Sequence, residues 1–150
     1  MIKNLKVNSV DKNIDKLLFH RLVSLLKKEF NFKLESFLIN FISSEHLLKI
    51  NKEFLKHNYY TDIITFNYSK NRLLFDAELY ISLQDAQNNA NKYHVPLEQE
   101  LMRLVVHGVL HLLDYDDKSP KTKPVMKKVE NRLVNKYKFI LNNNRVFYGN

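Results

Sequence analysis

Two histidines four residues apart, His107 and His111, stand in the apolar run VVHGVLHLLDYDD (105–117), with Asp114, Asp116 and Asp117 close behind. Imidazole is a common metal ligand, and on a helix residues i and i+4 lie one above the other, so the pair can face a single ion. Catalytic zinc usually takes three protein ligands and keeps a fourth position open. A carboxylate oxygen is an acceptable third donor for zinc, iron or manganese. Spacing alone selects none of the three aspartates. The bland alternative is a pair of surface histidines hydrogen-bonded to nearby aspartates. The surroundings weigh against it: Leu104, Val105, Val106, Val109, Leu110, Leu112 and Leu113 predict a half-buried helix, in which imidazoles need partners. Gly108 costs a helix interior about 1 kcal/mol relative to alanine, which asks for close approach of a ligand or a strand.

The elements that must hold these residues follow from periodicity. Segment 10–30 has apolar residues at Ile14, Leu17, Leu18, Leu22, Leu25 and Leu26, the period of an amphipathic helix with a lysine-rich polar face. SFLINFISS (36–44) reads as a strand, and 43–55 as a helix capped by Ser43 or Ser44. DIITFNYS (62–69) and LLFDAELYISL (73–83) are rich in β-branched and aromatic residues and form an antiparallel hairpin across the polar SKNR. A helix is predicted from Ser82 to Val95, then the histidine helix over 96–116 with Pro96 in its first turn. KSPKTKP (118–124) reads as a polar loop, 125–141 as a last amphipathic helix, NNNRVFYGN as a frayed tail and NLKVNSV (4–10) as an N-terminal strand. Helix-rich ends around a few strands give an α+β fold. It has a small mixed sheet of about four strands packed with four to five helices, in a single domain spanning 1–150.

Composition removes several classes of chemistry. With only two glycines the chain has no Gly-rich phosphate loop, and with no cysteine it has neither disulfides, nor a thiolate metal site, nor a cysteine nucleophile. The charged N-terminus does not read as a secretory signal, and no run approaches the roughly 18 apolar residues of a membrane span. A cytoplasmic protein without membrane attachment or small-molecule cofactor is the expectation. A net charge of +8 favours polyanionic partners, although Lys- and Asn-rich composition throughout would raise the charge of any protein.

HGVLHLLDYDD resembles the H-G-x-L-H-L-x-G-Y-D-H signature of the YbeY family of bacterial endoribonucleases and rRNA maturation factors. INKEFLKHNYYTDIITF (50–66) is similar to that family's L-N-x-x-Y-R-x-x-D-x-P-T-D-V-L-S-F block, and AELYIS (77–82) to its G-D-I-x-I-S strand. The resemblance implies a compact α+β fold with one metal ion, zinc first, in a cleft used on rRNA in maturation of the small-subunit 3′ end. The family's three histidine ligands fall on His107, His111 and Asp117. A His2Asp set lowers the site's charge and hardens it, so manganese, iron or nickel stand beside zinc.

Other positions also depart from the family. Its arginine, thought to serve RNA cleavage, falls on Leu55; Lys56 or His57 is the candidate nucleic-acid-binding replacement, with a plain surface residue as the alternative for His57. Its glycine before Tyr-Asp is Asp114 here. Glu78 stands at an aspartate position, as a catalytic candidate beside His107 that would orient a ligand or accept a proton; otherwise it is a strand-edge carboxylate. Thr61 and Asp62 match a T-D pair, read here as a turn and capping pair.

Three functions compete. The first is a single-strand-specific, metal-dependent endoribonuclease acting on rRNA precursors and the ribosomal small subunit. The second is a non-catalytic assembly factor that binds RNA or the ribosome and keeps a structural metal. The third is a metallopeptidase, ranked last because Gly108 occupies the position of the zincin general-base glutamate. Lysines on the first and last helices are candidate RNA contacts, or merely solvated faces.

Overall fold

A computed structural model describes residues 1–56 and 61–141. Its elements are β1 (Leu5–Ser9), α1 (Lys16–Phe30), β2 (Lys33–Ile42), α2 (Ser44–Phe54), β3 (Ile63–Asn67), β4 (Leu74–Ser82), α3 (Leu83–Tyr93), α4 (Leu97–Leu112) and α5 (Thr122–Tyr137). The four strands form one mixed sheet in the order β1-β2-β4-β3; β1 and β4 run parallel to β2, and β3 pairs antiparallel with β4. The α+β class, the hairpin and the N-terminal strand are as the sequence predicts. Among the described residues no helix is long and apolar enough to cross a membrane.

Helix starts follow side-chain chemistry. Asp15 accepts from the Leu17 N–H, Ser43 from His46 and Ser82 from Asp85, each satisfying one of the donors a helix N-terminus leaves open, for about 1 kcal/mol apiece. Several predicted boundaries move: the histidine helix, expected to run to residue 116, ends at Leu112, and the strand expected from residue 36 begins at Lys33. The first helix begins at Lys16 rather than near Val10, because the Asp15 cap fixes its start; Ile14 is buried from the preceding turn and Leu17 is exposed. The predicted loop 118–124 is cut short, since α5 already begins at Thr122 and contains Pro124. Proline is tolerated in a first turn, where its missing N–H would have had no intrahelical partner. The tail 142–150 lies outside the described residues.

Strand alternation divides the sheet into two faces. Phe75, Ala77, Leu79 and Ile81 of β4 join Phe37, Ile39 and Phe41 of β2 in the main core, closed by Leu18, Leu22 and Leu26 of α1, Leu101 and Val105 of α4, and Met126 and Leu133 of α5. On the opposite face Ile42, Ile64, Phe66 and Tyr80 pack with Leu47 and Ile50 of α2. Gly108 answers the question its position raises. A Cβ there would stand 2.8 Å from both methyl carbons of Leu79, so the missing side chain lets α4 lie directly on β4.

Candidate metal centre

His107 and His111 lie on the less buried side of α4, with ring centroids 4.8 Å apart and planes inclined by 74°. The helix ends in a Schellman turn. Tyr115 donates its N–H to the Leu110 carbonyl and Asp114 to the His111 carbonyl, and Asp114 takes the left-handed conformation at φ 69°. An aspartate thus adopts the geometry that glycine adopts most easily, with Tyr115 packed against the core as the accompanying apolar contact.

The turn selects among the aspartates. Asp116 Oδ1 accepts from the Lys118 N–H at 2.8 Å, whereas Asp117 returns towards the helix. Its Oδ2 stands 3.4 Å from His107 Nε2 and 3.5 Å from His111 Nε2, and one ligand atom from each of the three residues lies within 4.8 Å of the others. Donors at about 2.1 Å from a tetrahedral ion are separated by about 3.4 Å, so two edges of this triangle have the dimensions of a coordination shell. They are long for direct hydrogen bonds. The donor set, two neutral-capable imidazoles and a carboxylate, fits a divalent transition metal.

Behind the imidazoles runs a line of buried charge that the sequence reading missed. His107 Nδ1 is 2.7 Å from Glu130 Oε1 of α5, a carboxylate only 1% exposed. A hydrogen on Nδ1 pointing at that carboxylate leaves the Nε2 lone pair facing Asp117, as a ligand requires. Arg103 Nη1 and Lys127 Nζ each donate to Glu130 Oε2 at 3.1 Å, and Arg103 also forks onto buried Glu100. Burial works against the ionised Glu130, but the hydrogen bonds from His107 and Lys127 and the charges of Arg103 and Lys127 outweigh it and bring its pKa down to about 2. At His111, burial and the neighbouring His107 lower the pKa against the opposing pull of Asp117, favouring the neutral ring that binds metal. One signal in the sequence pointed to Glu130: it falls on the apolar stripe of α5 with Met126, Leu133, Val134 and Tyr137, where a carboxylate requires a partner.

The three donors open onto a cavity of about 560 Å³ at the β3 edge of the sheet, lined also by Leu55, Asp62, Thr65, Asn67 and Lys118. Asp62 sits at the strand entry, where the sequence places a turn, and also at the cavity. Its carbonyl accepts from the Ser82 N–H at the strand entry, and its side chain borders the cavity, where burial pushes the carboxyl above the usual range against the pull of Arg103.

Two other sequence candidates lie elsewhere. Glu78 does not line the cavity: it is one strand position from Leu79, which faces α4, so its side chain projects from the other face, where its oxygens accept from the Tyr68 and Tyr80 hydroxyls. Glu78 thus stands on the face of the sheet away from His107 and His111. Lys56 is exposed at φ 59° just beyond α2, and Leu55 rather than Lys56 lines the cavity. His57 lies outside the described residues.

A family model described as Endoribonuclease YbeY matches residues 1–138. An Endoribonuclease YbeY of Bacteroides fragilis is 41% identical over 92 residues, covering 61% of this chain and 66% of that protein, so the match spans just under two-thirds of the relative's length. One from Chlorobium limicola is 38% identical over 123 residues, covering 82% of this chain and 84% of its own. In fold, the chain is similar to the solution structure of a Thermotoga maritima protein, with a TM-score of 0.61 and 23% identity over 87% of this chain and 86% of that one.

Proposed function

The chain belongs to the YbeY family, and from that premise we propose that it is a metal-dependent endoribonuclease cutting single-stranded RNA, with small-subunit rRNA precursors as substrates and the cytoplasm as its setting. On this reading residues 1–150 form one catalytic domain. The observation that carries it is the triangle of His107, His111 and Asp117 on the wall of an open cavity, backed by the Glu130 carboxylate on the far side of His107.

A divalent ion held there, zinc first and manganese, iron or nickel next, supplies Lewis acidity towards a phosphoryl oxygen or a water. Everything else falls to the chain's own side chains. Glu130 fixes the tautomer and orientation of His107. Lys118, the cation among the described residues lining the cavity, is positioned to meet a backbone phosphate. Asp62, whose pKa burial raises, stands at the cavity wall.

One observation favours a second reading, an RNA- or ribosome-binding assembly factor with a structural metal. Leu55, 37% exposed, occupies the cavity wall where the family resemblance calls for an arginine, and leucine stabilises no developing charge. The peptidase reading loses ground, because Gly108 faces Leu79 in the core and a general-base side chain added there would collide with the buried Leu79 side chain.

The deciding experiment is cleavage of a precursor small-subunit rRNA 3′ fragment by the purified protein and by His111→Ala, with added zinc or manganese. Cutting by the wild type alone supports the nuclease. No cutting by either, with RNA binding intact, supports the assembly factor. Equal cutting by both identifies a contaminant and counts against the metal site as the catalytic centre.

A further inference from the structure

A second cavity, of about 660 Å³, opens between α3, α4 and α5, and Asp62 borders both it and the metal cavity. Its cations are already engaged: Arg103 with Glu100 and Glu130, and Lys127 with Glu130. A phosphate entering here would have to compete with those carboxylates and with Asp62, so the cavity is poorly matched to an anion.

What it offers instead is neutral. Gln99 on α4 and Asn131 and Asn135, one turn apart on α5, present carboxamides that make no side-chain hydrogen bond to another described residue. Each carries both donors and an acceptor, the complement of a base edge. At the mouth stands Tyr93, the last residue of α3, 59% exposed, with the Lys92 ammonium 5.5 Å from its ring centroid. Aromatic rings beside amides are how proteins hold splayed, unpaired bases, the ring stacking and the amides reading the edge.

We propose that this second cavity is a nucleobase subsite, taking one unpaired base of an RNA strand whose backbone passes the metal cavity beyond Asp62, with Tyr93 as the stacking platform and Gln99, Asn131 and Asn135 as edge contacts. The inference rests on RNA being the substrate, as proposed above. It gives the cleft a reason to prefer single strands: a paired base enters only after its pairing and stacking are broken, at a cost an unpaired base does not carry.

The test is fluorescence anisotropy of a labelled short single-stranded RNA, and of a series carrying one abasic position at a time, with the full chain as wild type, Tyr93→Phe, Tyr93→Ala and Asn131→Ala. Cleavage of the same RNAs is followed in parallel. Tyr93→Ala should weaken binding about tenfold, the scale of one lost base stack, while Tyr93→Phe stays near wild type. One abasic position should cost the wild type a similar factor and Tyr93→Ala nothing further. Asn131→Ala, at an exposed position, should alter the preference among bases at that same position.

If every abasic position costs wild type and Tyr93→Ala alike, or Tyr93→Phe falls as far as Tyr93→Ala, the subsite is wrong. RNA that is cut without any position mattering removes the subsite and leaves the nuclease. RNA that is bound with the expected position dependence but never cut removes the nuclease and leaves the subsite. No RNA binding at all removes both.

Discussion

Replacing Glu130 by glutamine tests whether the buried carboxylate sets up the metal centre or only staples α5 to α4. Its pKa of about 2, against an ordinary value of 4.5, means that ionisation is favoured in the folded state by about 3 kcal/mol. Glu130→Gln removes that charge while an amide oxygen still accepts from His107 Nδ1, and Arg103 keeps its fork onto Glu100. The expected loss is about 2–3 kcal/mol of stability, which in a 150-residue chain lowers the melting temperature by roughly 5–10 °C. Metal affinity should fall about tenfold, the lower end of the range for an outer carboxylate, because orientation survives in part. Competition against a chromophoric chelator at neutral pH measures the second effect and thermal melts without metal the first.

The same substitution predicts a pH signature. A group whose pKa is depressed by folding contributes fully above its unfolded value and loses that contribution as the pH falls through its folded one. Wild-type stability should therefore decline between about pH 5 and pH 2, and Glu130→Gln should decline less across that window. Wild-type metal affinity in Glu130→Gln, together with an unchanged acid limb, would refute the reasoning.

At the helix end, Asp114→Gly should stabilise the protein by about 1 kcal/mol, because glycine holds φ 69° without the steric cost of a Cβ; chemical denaturation reads this directly. Gly108→Ala should destabilise by about 1–2 kcal/mol despite alanine's better helix propensity, since the added methyl meets Leu79 in a closed core, and metal affinity should fall with it as α4 lifts from the sheet. Leu55→Arg adds a cation to the cavity wall; RNA affinity should rise at low salt, with a salt dependence steeper by about 0.7 in log–log slope, as one further phosphate contact on a single strand requires.

The sequence carried the parts of the fold that repeat locally: the helical periods, a serine cap at Ser43 or Ser44, the helix start at Ser82, and the hairpin of β3 and β4. It also paired His107 with His111, because i and i+4 on a helix need no tertiary knowledge. Asp117 was another matter. Its return depends on a left-handed residue at Asp114, which residue type suggests only weakly, so the family resemblance rather than spacing pointed to it. The placement of Glu78 away from the histidines was not legible for a reason built into strands: a step of one residue exchanges faces, and nothing local says which face carries the site. Glu130 was invisible to motif reading because its contact with His107 spans 23 residues, although a carboxylate in an apolar stripe was there to be noticed.

The close seating of Gly108 on Leu79 divides the three donors into two kinds. His107 and His111 ride on a helix that cannot slide or roll without breaking into the core, so their positions are inherited from the fold itself. Asp117, one-third exposed on a turn past the helix end, meets the two imidazoles but is placed by its own backbone rather than by core packing. A single codon change at that position can swap a hard anionic donor for a soft neutral one while the packing stays as it was. On the proposed metal-centre reading, the donor that sets the hardness of the site therefore sits at an exterior turn, on a scaffold whose packing does not depend on it.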